Sequence, residues 1–227
     1  MADILHIETS STICSVSIAR NGIELFALEG ENVNDHISQL TTLIENVCLA
    51  ADTPIKRLSA IAVSAGPGSY TGLRIGVSTA KGICHALEIP LIAVNSLESM
   101  VYGLIEQYRA EDTVLCPLID ARRMEVYTMA MSNLGKILLP NQAYIIDEST
   151  VLNRLMDANK VVFFGSGLPK SKPYLEHPNA VFHDNYLQLA RSMHFLANRQ
   201  YMNGFFENVA YFEPQYIKEF YTTQKIK

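Results

Sequence analysis

Two rhythms of apolar positions share the first hundred residues. Residues 4–8, ILHIE, form a mostly apolar run of the kind a strand buried on both faces requires. Cys14, Val16 and Ile18, then Ile23, Leu25 and Ala27, alternate with their neighbours at period two, the mark of half-buried strands. Asn21 and Gly22 stand between them, and this pair supplies the positive φ angles of a two-residue hairpin turn. Three antiparallel strands are therefore expected to open the chain. From Asn34, a candidate helix cap, the period lengthens. Ile37, Leu40, Ile44, Val47 and Ala51 recur at steps of three and four and predict one apolar helix face, ended by Pro54. A buried strand over 58–64 follows, then a helix to Glu88 with Leu73, Val77, Ala80, Cys84 and Leu87 on one face, a short strand LIAVN after Pro90 and a helix over 96–109.

The second half starts the same meander again. Strands are expected over 114–120, 125–131 and 136–139, with a turn at 133–135, and helices over 150–158 and 185–201 flank a short apolar strand, VVFFG, at 161–165. Strands in hairpins followed by helix and strand in alternation describe an α/β protein of two tandem ribonuclease-H-like lobes, mixed sheets with flanking helices. The first lobe is expected over 1–109. The second, over 110–227, is smaller and divergent, with a tail free to pack back on the first. At this level the likeness to actin-like ATPases and sugar kinases is one of architecture alone.

Between the two rhythms of the first lobe lies SAGPGSYTGLRIGVSTAKG, at 64–82. A strand-to-helix turn rich in glycine invites a phosphate, because helix N-terminal amides point at it. The spacing refuses both familiar loops: Thr71 follows Gly66 by five and Leu73 follows Gly68 by five, so there is no GxxxxGK, and Thr71 stands where GxGxxG needs its third glycine. What remains is a sharp turn with Ser69 or Thr71 as helix cap. Gly72, Gly76 and Ala80 then share one helix face. Glycine inside a helix costs roughly 0.5–1 kcal/mol against alanine, so this small face calls for a close backbone, from the neighbouring helix of the same domain or from another subunit.

Composition narrows the chemistry. A net charge of −5 argues against an autonomous nucleic-acid binder, and the short basic clusters, Lys170 with Lys172 and the tail 218–227, read as solvated ends. Cys14, Cys48, Cys84 and Cys116 contain no CxxC pair, so reduced, buried thiols are expected in a cytoplasmic protein without leader or membrane span. The histidines, His6, His36, His85, His177, His183 and His194, include no HExxH and no pair four apart. No GxSxG elbow exists around Ser69 or Ser166. Glu8, at the end of the first strand and before Thr9, Ser10 and Ser11, is the one suggestive acid; a carboxylate bonded to its own turn is the plainer reading.

Three stretches resemble a known family, TsaB (YeaZ): IETSSTICSVSIARNG at 7–22, AGPGSYTGLRIGVSTAKGICHALEIPLIAVNSLESM at 65–100 and IDARRMEVY at 119–127. The likeness is nearly continuous over the first hundred residues and thins beyond Tyr127 to Gly165, Gly167 and EPQYIK at 213–218. The resemblance implies two actin-like lobes and a part in making threonylcarbamoyladenosine beside the anticodon of tRNAs that read codons starting with A. It implies a partner with no catalytic residue, metal or cofactor of its own. That partner forms a heterodimer with the catalytic paralogue TsaD, is joined by the ATPase TsaE, and meets tRNA only through the complex, with threonylcarbamoyl-adenylate as donor.

TsaD proteins carry two metal-binding histidines in a segment of the form VHHLEGH. It aligns with VNSLESM at 94–100, where Ser96 and Met100 stand instead, and a hydroxyl with a thioether suits a hard or borderline divalent metal poorly. The glycine-rich second-lobe phosphate turn of actin-like kinases corresponds to IDARRMEVY, in which Asp120 would repel a triphosphate and the bulky Arg122, Arg123 and Met124 deny its close approach, while the two arginines leave room for some anion affinity. Glu8 also stands where the family usually has Asp. ATP is therefore not expected to bind the isolated protein at micromolar concentration.

The implied partner surface uses the helices at about 36–51 and 71–87, with His36, Leu40, Ile44, Tyr70, Thr71, Gly72, Arg74, Ile75, Gly76, Thr79 and Ala80 as candidate contacts. On this reading Gly76→Leu weakens TsaD binding and leaves the monomer folded, and the same surface would serve a homodimer of the isolated protein. The rival class is an autonomous ATP-dependent phosphotransferase on the same fold; a metallopeptidase, the older description of the relatives, lacks its histidine pair.

Overall fold

The computed structural model describes residues 1–32, 35–109, 112–147, 152–158 and 160–217. Asn34, Thr150 and the basic tail from Lys218 lie outside the described residues. The chain forms two five-stranded sheets. The first contains β1 (Asp3–Glu8), β2 (Ser15–Arg20), β3 (Ile23–Glu29), β4 (Ala60–Gly66) and β5 (Leu91–Asn95) in the order β3-β2-β1-β4-β5. The second repeats the order as β10-β9-β6-β7-β8 read from its other edge, from β6 (Thr113–Asp120), β7 (Glu125–Ser132), β8 (Ile137–Ile145), β9 (Lys160–Phe164) and β10 (Ala180–His183). In each, three antiparallel strands carry two parallel ones. This is the ribonuclease-H-like pattern expected from the sequence.

Local chemistry accounts for the elements. Asn21 and Gly22 both hold positive φ, 51° and 81°, between β2 and β3, as a type I′ hairpin demands. Helix α1 (His36–Ala50) and helix α2 (Tyr70–Leu87) lie against the first sheet. In α1 the inward stripe is His36, Leu40, Ile44, Val47 and Cys48, whereas Ile37 is 73% exposed. The expected stripe is thus displaced at its start, because the His36 ring turns inward to bond the Ser11 carbonyl at 2.9 Å. Helix α2 begins one residue after Ser69, whose hydroxyl accepts from the Gly72 N–H at 3.2 Å. Thr71 is inside the helix.

Three further helices, α3 (Ser96–Leu104), α4 (Leu152–Ala158) and α5 (Leu168–Ser171), come before the chain returns to the first sheet. The expected helix over 185–201 is in fact α6 (His194–Met202), preceded by one 3-10 turn (Ala190–Met193) and an irregular crossing over 184–189. Long-range bonds hold that crossing open: the Ala190 N–H donates to Ser15 Oγ at 2.8 Å. Ala190, Met193, Leu196 and Ala197 pack on the face of the first sheet opposite α1 and α2, against Ala2, Ile4, Ala60 and Ile92. The described tail then runs along α2: Glu207 bridges to Leu91, Phe212 joins the core beneath α2, and the Gln215 N–H donates to the Ala65 carbonyl at 2.7 Å.

Candidate functional site

The glycine turn closes on the chain itself. A Cβ at Gly68 would lie 2.6 Å from both the Cβ and the carbonyl oxygen of Ser10, and one at Gly72 would overlap the Thr9 carbonyl oxygen. At Gly76 it would overlap the Thr9 hydroxyl, which donates to the Gly72 carbonyl at 2.7 Å. Gly66, at φ 109°, has the Gln215 carbonyl 2.6 Å from its missing Cβ. The small face of α2 therefore accommodates the turn after β1. The atoms nearest to Gly72 and Gly76 are those of Thr9 in the same lobe, so Gly76→Leu is expected to strain the packing of that lobe on Thr9.

That turn carries Glu8, and its surroundings are polar and closed. Glu8, Thr9 and Ser10 are buried. Glu8 Oε1 accepts from the Ser10 N–H at 2.6 Å; Gln188, from the crossing segment, donates to Glu8 Oε2 at 3.1 Å and to Ser10 Oγ at 2.7 Å. Ser96 Oγ reaches Ser10 Oγ at 3.4 Å. Burial pushes the Glu8 carboxyl above its ordinary range, against the bonds from Ser10 and Gln188 that lower it. Gln188 was not among the sequence candidates, and no local signal marks it, since its partners lie about 180 residues away.

Ser96 and Met100 share the inward face of α3, both fully buried. Met100 packs with Leu97, Leu115, Ile119 and Phe164 where α3 lies on the second sheet. Asn95 caps that helix by accepting from the Leu97 and Glu98 N–H groups at 3.0 and 3.1 Å. Among the described residues no group of three His, Cys, Asp or Glu side chains is placed to hold a metal ion. The four cysteines are buried and unpaired, and burial pushes the Cys14 and Cys116 thiols up to about 12.

At the end of β6 the turn 120–124 holds Arg122 and Arg123 exposed. Lys170 is ion-paired with Asp120, and Lys172 with Asp184 at 3.1 Å, so these lysines are held, not loose.

The helix candidates divide into four groups. Leu40, Gly72, Gly76 and Ala80 face inward and His36 is bonded to Ser11. Tyr70 and Arg74 meet the tail: the Arg74 guanidinium lies 4.1 Å over the Tyr70 ring and donates to Tyr216 Oη at 3.2 Å, and the two tyrosine rings are 5.1 Å apart. Thr71 is exposed and Ile75 half-buried. Ile44 and Thr79 line an apolar cavity of about 490 Å³ between α1 and α2, together with Cys48, Leu49, Ile55 and Ile83. Leu49, 73% exposed, stands on its rim. The sequence reading missed these last four; the signal was an apolar Leu49 outside the inward stripe of α1.

Comparison with known proteins places this geometry in a family. The family model described as TsaD, tRNA N6-adenosine threonylcarbamoyltransferase, matches residues 31–200, more than half of the chain. Two relatives named tRNA threonylcarbamoyladenosine biosynthesis protein TsaB are similar: that of Bacillus subtilis is 35% identical over 125 residues, 55% of this chain and 53% of its own. That of Haemophilus influenzae is 30% identical over 129 residues, 55% and 51% respectively. The match spans about half the length of these curated relatives. The fold is similar to a crystal structure from Pseudomonas aeruginosa described as an uncharacterized protein with similarity to peptidase YEAZ. The TM-score is 0.81 at 24% identity, with 96% of this chain and 100% of that one covered.

Proposed function

The chain belongs to the TsaB (YeaZ) family, and on that premise we propose that it serves tRNA threonylcarbamoyladenosine formation as a non-catalytic partner subunit. It binds and orders TsaD, the threonylcarbamoyltransferase, and helps recruit TsaE. The observation that carries the non-catalytic reading is the state of the Glu8 turn. In an actin-like enzyme the acid ending the first strand faces metal and phosphates; here Gln188 is bonded to both Glu8 and Ser10. A phosphate could reach the turn only by displacing an amide that satisfies two buried acceptors, and leaving those unpaired is costly. Ser96 and Met100, where the relatives' histidines would stand, are core residues.

The partner surface we infer is the α1–α2 cavity. An open apolar cavity with Leu49 exposed on its rim is surface that a partner helix would cover. The free, buried thiols suit the reducing cytoplasm, and among the described residues no helix is long and apolar enough to cross a membrane.

Reconstitution tests the reading: unmodified tRNA, TsaD, TsaE and threonylcarbamoyl-adenylate are combined with and without this protein. Modification is expected only when it is present. Equal modification in its absence would reject the partner role, and isothermal titration showing tight one-to-one ATP binding to the isolated chain would favour the rival reading, an ATP-dependent phosphotransferase on this fold.

A further inference from the structure

The turn between β6 and β7 contains two consecutive residues with positive φ, Arg122 at 67° and Arg123 at 50°. Left-handed backbone belongs to glycine and asparagine by preference, and other residues hold it only where their surroundings impose it. Lys170, brought up by α5, is what imposes it here. Its ammonium donates to the Arg123 carbonyl at 2.8 Å and the Glu125 carbonyl at 2.6 Å, and is paired with Asp120. The Asp120 carboxylate accepts from the Arg122 N–H at 2.7 Å, and the Asp120 N–H donates to Ser166 Oγ at 3.1 Å. The acid of the turn is thus engaged by a lysine and by backbone. The two guanidinium groups, both exposed, make no hydrogen bond or ion pair among the described residues.

We propose that this turn, with Arg122 and Arg123 as its contact groups, docks phosphodiester groups of an RNA backbone. The choice of RNA rests on the tRNA-modification reading above. Guanidinium forks match phosphate oxygens two at a time, and a turn clamped by Lys170 presents them at little ordering cost. The net charge of −5 makes the point sharper. A chain whose overall field repels a polyanion can contribute to its capture only through local, pre-organised cations, and two adjacent unpaired arginines on one rigid turn are that kind of site. Carboxylates of a protein partner are the competing occupant.

The test measures fluorescence anisotropy of a labelled, unmodified tRNA transcript against this protein alone at low salt and against its complex with TsaD. Wild type is compared with Arg122→Ala/Arg123→Ala and Arg122→Lys/Arg123→Lys. Unchanged unfolding midpoints establish that the variants fold. The alanine pair is expected to weaken tRNA binding about tenfold and to flatten the slope of log affinity against log salt by about 1.5, two contacts at roughly 0.7–0.9 each. The lysine pair keeps the slope and loses part of the affinity. Equal tRNA affinity and slope for wild type and the alanine pair would overturn the proposal. Loss of TsaD co-purification with tRNA binding by the chain alone unchanged would overturn it in favour of a carboxylate partner. If wild type itself fails to bind TsaD, the partner reading falls, and the measurement on the chain alone still decides the turn.

Discussion

Thr9 is the residue against which α2 closes, through its carbonyl at Gly72 and its hydroxyl at Gly76. The two contacts differ in what can give. A carbonyl fixed between β1 and the next turn cannot retreat, whereas a hydroxyl can rotate and lose one hydrogen bond. Gly72→Ala is therefore expected to destabilise by about 3 kcal/mol. Gly76→Ala is expected to cost within about 1 kcal/mol, because alanine's helix preference offsets most of the lost bond. Urea unfolding of both variants checks this, and equal losses would reject Thr9 as the discriminating contact. At the opposite face of the sheet His194 Nε2 meets Ser17 Oγ at 2.8 Å, and the His6 ring lies 4.5 Å away. Burial, and then Arg191, hold the His194 imidazole down to about 4. The unfolded chain thus binds the proton that the folded chain refuses. The stability contribution is full above about pH 6.5 and falls by roughly 3 kcal/mol as the pH drops to about 4. His6 is shifted in the same direction by burial and by His194, while Glu8, shifted upward, opposes them by favouring the fold as it protonates. His194→Gln should make the pH dependence of urea midpoints shallower over this window; an unchanged slope would place the titration elsewhere.

At the scale of elements, the α2 start shows both what local chemistry writes into a sequence and what it leaves out. The cap is local: Ser69→Ala removes the acceptor of the Gly72 N–H and is expected to cost about 1 kcal/mol in thermal unfolding. Its legibility follows from that locality, as does that of the Asn21-Gly22 hairpin and the inward residues Leu73, Val77, Ala80 and Cys84. What crosses the chain was not legible. Leu187 and Gln188 fit a helical spacing, yet Gln188 is bonded to Glu8 and Ser10, and no period within 185–201 can record a partner at the other end of the molecule. The need for glycine at positions 72 and 76 could be read, while Thr9 as its cause could not. The tail belongs to the same class. Lys81 Nζ donates to the Ala210 and Phe212 carbonyls at 3.2 and 2.8 Å, and aliphatic-to-aromatic contact then seats Phe212 in the core. Lys81→Met is expected to speed amide exchange at Gln215, whose N–H is bonded to Ala65, leaving β1 and β4 protected.

At the scale of the whole molecule the question is which face the proposed partner would cover. The tail crosses α2 on the flank of Tyr70, Arg74 and Lys81, and the crossing segment with α6 covers the far face of the first sheet. Between α1 and α2 the cavity stays open, floored by Ile44 and Cys48 and rimmed by Leu49. A substitution on the floor would confuse partner binding with folding, because Ile44 and Cys48 also belong to the lobe's core. Leu49 and Thr41 avoid that confusion, since both line the cavity from exposed positions. A bulky cation there costs the isolated chain within about 0.5 kcal/mol, as surface substitutions do, yet it places an unpaired charge in what would become a buried apolar contact. Leu49→Arg and Thr41→Arg are therefore each expected to lower affinity for TsaD at least tenfold in a co-purification or calorimetric titration, with the unfolding midpoint of the free protein unchanged. Arg122→Ala/Arg123→Ala, on the other lobe, should leave that affinity intact. Should both cavity variants bind TsaD as wild type does, the α1–α2 cavity is not the interface, and the proposed contact moves to the surface built by Tyr70, Arg74 and the tail.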